Sequence, residues 1–170
     1  MDYTLRQLRE MALTYANSRG IKVFLKRRLG YGNDGQIWIT DRSSAVKVHY
    51  RESCYVSERK CYQIFKKSNI TQIKGLSVPT LIDFDDDLMT IEMGIVRRPY
   101  LLDFGKAYVD HPPSYYYDAQ MKRNFYDKCA EDFPNNIKKL RVLLACLEGM
   151  GIYYVDPTPA NIDFGNISDD

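Results

Sequence analysis

Three glycines in the run Gly30-Tyr31-Gly32-Asn33-Asp34-Gly35 stand between two segments of strand character, Ile21 to Leu29 and Gln36 to Thr40. Strands joined by a turn this short form an antiparallel hairpin. A dinucleotide-binding βαβ unit would need a helix directly after its glycines; Ile37-Trp38-Ile39 is strand-like, so that unit is excluded. Glycine has no Cβ, so backbone N–H groups here can come close to phosphate oxygens. A glycine-rich hairpin with no ligand fits the same residues.

The neighbouring segments extend the pattern. Leu5, Leu8, Ala12 and Tyr15 recur at helical spacing, predicting a helix from Thr4 to about Ser18 that Gly20 stops. Ser44 to His49 reads as a third strand and Arg51 to Lys67 as a helix carrying Tyr55, Tyr62 and Phe65. A fourth strand runs from Pro79 to Asp83, and a fifth from Leu88 to Met93 follows the turn Asp85-Asp86-Asp87. Beyond Gly94 the chain is loop-rich and aromatic, with breakers at Arg97-Arg98-Pro99 and His111-Pro112-Pro113. A helix is expected within Tyr115 to Asp132. The clearest helix spans Asn135 to Glu148, where Ile137, Leu140, Leu143, Leu144 and Leu147 form one apolar stripe ahead of Gly149 and Gly151.

Composition excludes several classes. A net charge of +2 is too small for a nucleic-acid binder, and hydrophobic residues at 45% indicate a folded globular chain. No apolar run approaches the ~20 residues of a membrane span, and Met1-Asp2-Tyr3-Thr4-Leu5 is too polar for a signal peptide. The four cysteines show no Cys-x-x-Cys spacing. A cytoplasmic location, with no nucleic-acid or membrane partner, is the expectation. The 170 residues suit one domain or two small lobes about a cleft, here 1–93 and 94–170.

Three further groups carry chemistry. In Ala45-Val46-Lys47-Val48 the lysine lies among apolar neighbours, where its ammonium needs an anionic partner. Phosphates and a carboxylate of the next helix would serve, Glu58 first and Glu52 second. Glu92, Met93 and Gly94 end the fifth strand where the two halves meet, and their backbone groups could face an adenine edge. Last, the loop Asp156-Pro157-Thr158-Pro159-Ala160-Asn161 follows the apolar helix and the strand-like Ile152 to Val155. Asp156 could take the proton of an attacking hydroxyl, and Asn161 could hold a metal that bridges phosphates, while the prolines fix the distance between them. A proline-stiffened loop with incidental Asp and Asn is the plain alternative.

Order and context together resemble the protein-kinase-like superfamily, in particular its small, divergent bacterial-type members, from about Leu29 onward. The resemblance implies an α+β fold: a five-stranded antiparallel N-lobe with one αC-type helix, plus a reduced, truncated helical C-lobe. It implies ATP and Mg²⁺ as cofactors. Gly30, Gly32 and Gly35 would cover the phosphates; Lys47 and Glu58 would be the strand-helix pair; Ile91 would be the gatekeeper, with Glu92 to Gly94 as the hinge. Asp156 would be catalytic and Asn161 metal-binding.

The departures are equally informative. Tyr154-Val155-Asp156 stands where the family has His-Arg-Asp, and Thr158 replaces a lysine that contacts the γ-phosphate in Ser/Thr kinases. A metal-binding Asp-Phe-Gly should follow the catalytic loop at some distance. Asp103-Phe104-Gly105 precedes that loop, where the family has no metal ligand, and Asp163-Phe164-Gly165 comes almost at once after Asn161. Alternation places Ile162 and Phe164 on one face and Asp163 on the other, so Asp163 is the candidate second metal ligand, ahead of Asp169 and Asp170. Three functions follow: a minimal ATP-dependent kinase acting on a Ser/Thr-type hydroxyl of an unknown protein or small molecule; a pseudokinase that binds nucleotide or scaffolds partners through Tyr108 to Tyr117; or a small-molecule phosphotransferase.

Overall fold

The computed structural model describes residues 3–165. Its first element, α1 (Leu5–Arg19), begins at a reciprocal cap: the Thr4 side chain accepts from Gln7 N–H, and the Gln7 side chain accepts from Thr4 N–H. Gly20, at φ +61°, ends it in the left-handed conformation that glycine adopts without strain.

The hairpin β1 (Val23–Tyr31) and β2 (Gly35–Thr40), then β3 (Ser44–His49), follow in sequence. After α2 (Glu52–Lys67) come two short strands, β4 (Gln72–Ile73) and β5 (Leu76–Ser77), and then β6 (Leu81–Asp85) and β7 (Thr90–Gly94). Five of these strands form one antiparallel sheet in the order β1-β2-β3-β7-β6. The expected α+β lobe with one αC-type helix is therefore present. Its boundaries differ from the sequence reading: the glycine turn contracts to Gly32, Asn33 and Asp34, and Gly30 lies inside β1 opposite Ile37.

α1 covers this sheet. Leu8, Ala12, Tyr15 and Ala16 pack with Trp38, Val46 and Val48 as a separate buried cluster. Polar contacts fix its angle: Tyr15 O–H donates to Glu92 Oε2 at 3.0 Å, and Arg19 bridges Asp83 and Asp85.

The second half is less purely helical than expected. It contains β8 (Tyr100–Leu101), β9 (Tyr108–Val109), a 3-10 turn (Ser114–Tyr117), α3 (Ala119–Asp132), α4 (Ile137–Gly149), β10 (Ile152–Tyr153) and β11 (Ile162–Asp163). The stripe Leu140, Leu143, Leu144 and Leu147 is buried, as its periodicity predicts. A ring cluster ties the halves together: Phe104 meets Tyr62, Phe65 and Tyr154 edge-on at centroid distances of 5.1–5.6 Å. Two strand pairings then set the site. β9 pairs antiparallel with β10, and β8 pairs antiparallel with β11, so residues near 100 and near 160 run side by side. Among the described residues, no helix is long and apolar enough to cross a membrane.

Candidate functional site

Lys47 sits on β3, buried, and its Nζ donates to Glu58 Oε2 at 2.5 Å. Glu58 lies one helical face away on α2 and receives two further contacts: His49 Nε2 is 2.7 Å from the same oxygen, and Tyr62 O–H donates to Oε1 at 3.2 Å. Burial alone would disfavour both charges. For Glu58 that effect is outweighed by the Lys47 ammonium and by His49, which hold its carboxyl below the usual carboxylate range. For Lys47 the carboxylates of Glu58 and Asp103 outweigh burial and hold its ammonium above the usual lysine range. The pair is thus charged on both sides; Glu52 is exposed and takes no part.

Asp103 is the residue that sequence order concealed. Its Oδ1 accepts from Lys47 Nζ at 3.1 Å and from Gly105 N–H at 3.4 Å, with its own backbone at φ +58°. Both bonds fall on one oxygen, and among the described residues Oδ2 has no hydrogen bond. The position follows from strand pairing: Leu102 N–H donates to the Asn161 carbonyl at 2.8 Å, so Asp103 leaves β8 where Asn161 enters β11. Asp103-Phe104-Gly105, set aside because it precedes the Asp156 loop in chain order, thus brings Asp103 to the same cavity as Lys47 and Asn161. Distance along the chain did not measure distance in space.

A cavity of about 340 Å³ gathers these groups; Gly30, Gly32, Gly35, Lys47, Asp103 and Asn161 all line it. Gly35 is required by close approach, since a Cβ there would lie 2.5 Å from the Val48 carbonyl oxygen; at Gly32 a Cβ would meet open space. The turn is anchored through Asp34, which is buried and accepts from Arg51 Nη2 at 2.6 Å at the start of α2.

Asp163 is placed otherwise than expected. Ile162 and Phe164 are buried as alternation required, but the opposite face is not the cleft. The Asp163 carboxylate pairs with Arg98 and accepts from Gly165 N–H at 2.7 Å, and it does not line the cavity. Asp169 and Asp170 lie outside the described residues. At the expected hinge, Met93 lines the cavity, whereas Glu92 turns the other way to accept from Ser44 Oγ at 2.5 Å and from Tyr15. Gly94 spends its N–H on the Thr80 carbonyl at 2.9 Å and lines a separate cavity. Ile91 is fully buried beside Lys47's strand and does not reach the cavity.

The Asp156 loop closes on itself: Asn161 Nδ2 donates to the Asp156 carbonyl at 3.2 Å, and Asn161 N–H donates to the Thr158 carbonyl at 2.9 Å. Asp156 Oδ2 accepts from Lys106 Nζ at 2.7 Å, and that bond, against partial burial, holds the Lys106 ammonium above its usual range. Lys106 also stands 3.8 Å from Asp34 Oδ2. Neither Lys106 nor Asp34 carried a sequence signal, because their roles come from contacts across the fold.

No protein-family model and no curated protein matches the sequence. Among solved structures, two aminoglycoside phosphotransferases are similar in shape. One is APH(2")-IIa in its ternary complex with streptomycin and ATP, 15% identical, with 57% of this chain matched to 30% of that one at a TM-score of 0.41. The other is APH(2")-Ib bound to ADP, 16% identical, with 55% of this chain matched to 29% of that one, also at 0.41. The chain thus spans under a third of each enzyme. The fold itself is read from the molecule: five antiparallel strands, with α2 packed on them in addition to α1 and a buried lysine–glutamate pair joining β3 to α2, make a protein-kinase-like arrangement.

Proposed function

We propose that the chain is a kinase-like phosphotransferase that binds ATP and moves its γ-phosphoryl group to a hydroxyl. One observation carries the reading: the glycine turn, the Lys47–Glu58 pair, Asp103 and Asn161 converge on a single cavity although they come from five separate segments of the chain. Lys47, held by Glu58, is a fixed cation for phosphate oxygens, and the glycines give backbone N–H groups an unobstructed approach. Asp156 accepts the proton of the attacking hydroxyl, and the Asn161 side chain fixes the loop that presents it.

The metal role moves from Asp163 to Asp103. A carboxylate just after β8 and an amide just before β11, both on residues that line the cavity, would suit a hard cation with oxygen ligands. Mg²⁺ held by Asp103 and Asn161 would neutralise charge on the phosphates.

A second reading, nucleotide binding without transfer, is favoured by the Lys106 ammonium bonded to the proposed base. Turnover separates the two. In ATP hydrolysis, with water as acceptor, Asp156→Asn is expected to lower kcat about 10²–10⁴-fold while ATP still raises the melting temperature. Unchanged kcat refutes Asp156 as the base, and no turnover in the wild type despite ATP binding establishes the second reading.

A further inference from the structure

A second cavity, of about 530 Å³, lies against the first, between the N-terminal half of α2 and β9. The wall between them is thin. A Cβ on Gly105, which lines the second cavity, would stand 3.4 Å from Cys54 Cβ and 3.6 Å from the Cβ of Asp34, which lines the first. Among the described residues, the charged side chains on the second cavity are Arg51, Lys60 and Lys106, joined by His111, and no carboxylate lines it. Arg51 and Lys106 reach back through this wall to Asp34 and Asp156. Lys60 has no carboxylate within ion-pair distance among the described residues. His111 Nδ1 is 2.9 Å from the Val109 carbonyl and donates to it, which leaves Nε2 for a ligand.

We propose that this cavity receives the phosphoryl acceptor, and that the acceptor is a small hydroxyl compound carrying a phosphate or carboxylate group. The proposal rests on the phosphotransferase reading above. The anionic end lies against Lys60, His111 and Arg51, where charge-assisted hydrogen bonds hold it. The hydroxyl lies toward Lys106 and Asp156, at the boundary with the nucleotide cavity. In the transfer, the acceptor oxygen forms a bond to the γ-phosphorus as the bond from that phosphorus to the β–γ bridging oxygen breaks. The released electron pair leaves on ADP, and the hydroxyl proton passes to the Asp156 carboxylate. A cationic acceptor would meet like charge from Arg51, Lys60 and Lys106 and is selected against.

The test uses γ-labelled ATP and the full chain with glycerol 3-phosphate, glucose 6-phosphate and gluconate, against glucose and glucosamine. Label is expected on the anionic compounds, and Lys60→Glu and His111→Ala, both at exposed positions, are each expected to raise KM for them about tenfold with little change in kcat. Label on glucose or glucosamine in preference, label on none of the five, or an unchanged KM in Lys60→Glu overturns the acceptor assignment. ATP affinity and ATP hydrolysis, measured in the same samples, keep the two failures apart. If ATP does not bind, or binds without being turned over, the phosphotransferase reading itself falls; if ATP is hydrolysed and no anion is labelled, only the acceptor class does.

Discussion

Glu58 shows how much depends on a single side chain at the residue scale. It is buried, and Lys47, His49 and Tyr62 all converge on its carboxylate. Removing one partner of such a pair strands a buried charge, which typically costs about 3–5 kcal/mol. The sign of the pH dependence follows from the direction of each shift. Glu58 is depressed, so its contribution is complete above the ordinary carboxylate value of about 4.3 and is lost as pH falls through its folded value of about 2. Lys47 is raised, so its contribution is complete below the ordinary lysine value and is lost only as pH climbs through a still higher folded value. Urea unfolding from pH 6 down to about 2 should therefore show the stability advantage of wild type over Glu58→Gln shrinking across the acid window. A difference that stays constant with pH would mean that the Glu58 charge contributes nothing to folding.

At the scale of elements, what was legible in the sequence depended on length and period. α1, α2 and α4 repeat apolar residues over three or more turns, and their bounds fall within a few residues of those expected. The strands of the large sheet were legible for the same reason. β4, β5, β8 and β9 are two residues each, too short for alternation to mark them; β10 and β11, equally short, showed only in the strand-like Ile152 to Val155 and the alternation about Asp163, and no partner was legible for any of the six. The glycine hairpin lies between these cases: its existence could be read, but which glycine matters could not. Gly35→Ala would press a Cβ onto the Val48 carbonyl and force β2 from β3, at a cost of about 1–3 kcal/mol, whereas Gly32→Ala meets open space and should stay within about 0.5 kcal/mol of wild type. Thermal melts of the two variants check this; equal losses would contradict the packing described for the hairpin.

Across the whole molecule, the site is assembled by pairings between distant parts of the chain. Lys47, Glu58 and Asn161, which line the cavity, were picked out by local context alone, a strand lysine, a helix carboxylate and a proline-fixed loop. Asp103 was not, although its Asp-Phe-Gly string was in plain view, because chain order argued against it and only the β8–β11 pairing brings it beside Asn161. Asp163 had the favourable chain order, yet the strand turns its carboxylate to Arg98. Glu92, likewise, is spent on holding α1 against the sheet. The claim that Asp103 completes the site, in place of Asp163, is tested most directly by calorimetric titration of ATP with and without Mg²⁺ into wild type, Asp103→Asn and Asp163→Asn. Mg²⁺ should tighten ATP binding in wild type and in Asp163→Asn, and the tightening should vanish in Asp103→Asn; loss in Asp163→Asn with retention in Asp103→Asn would contradict it.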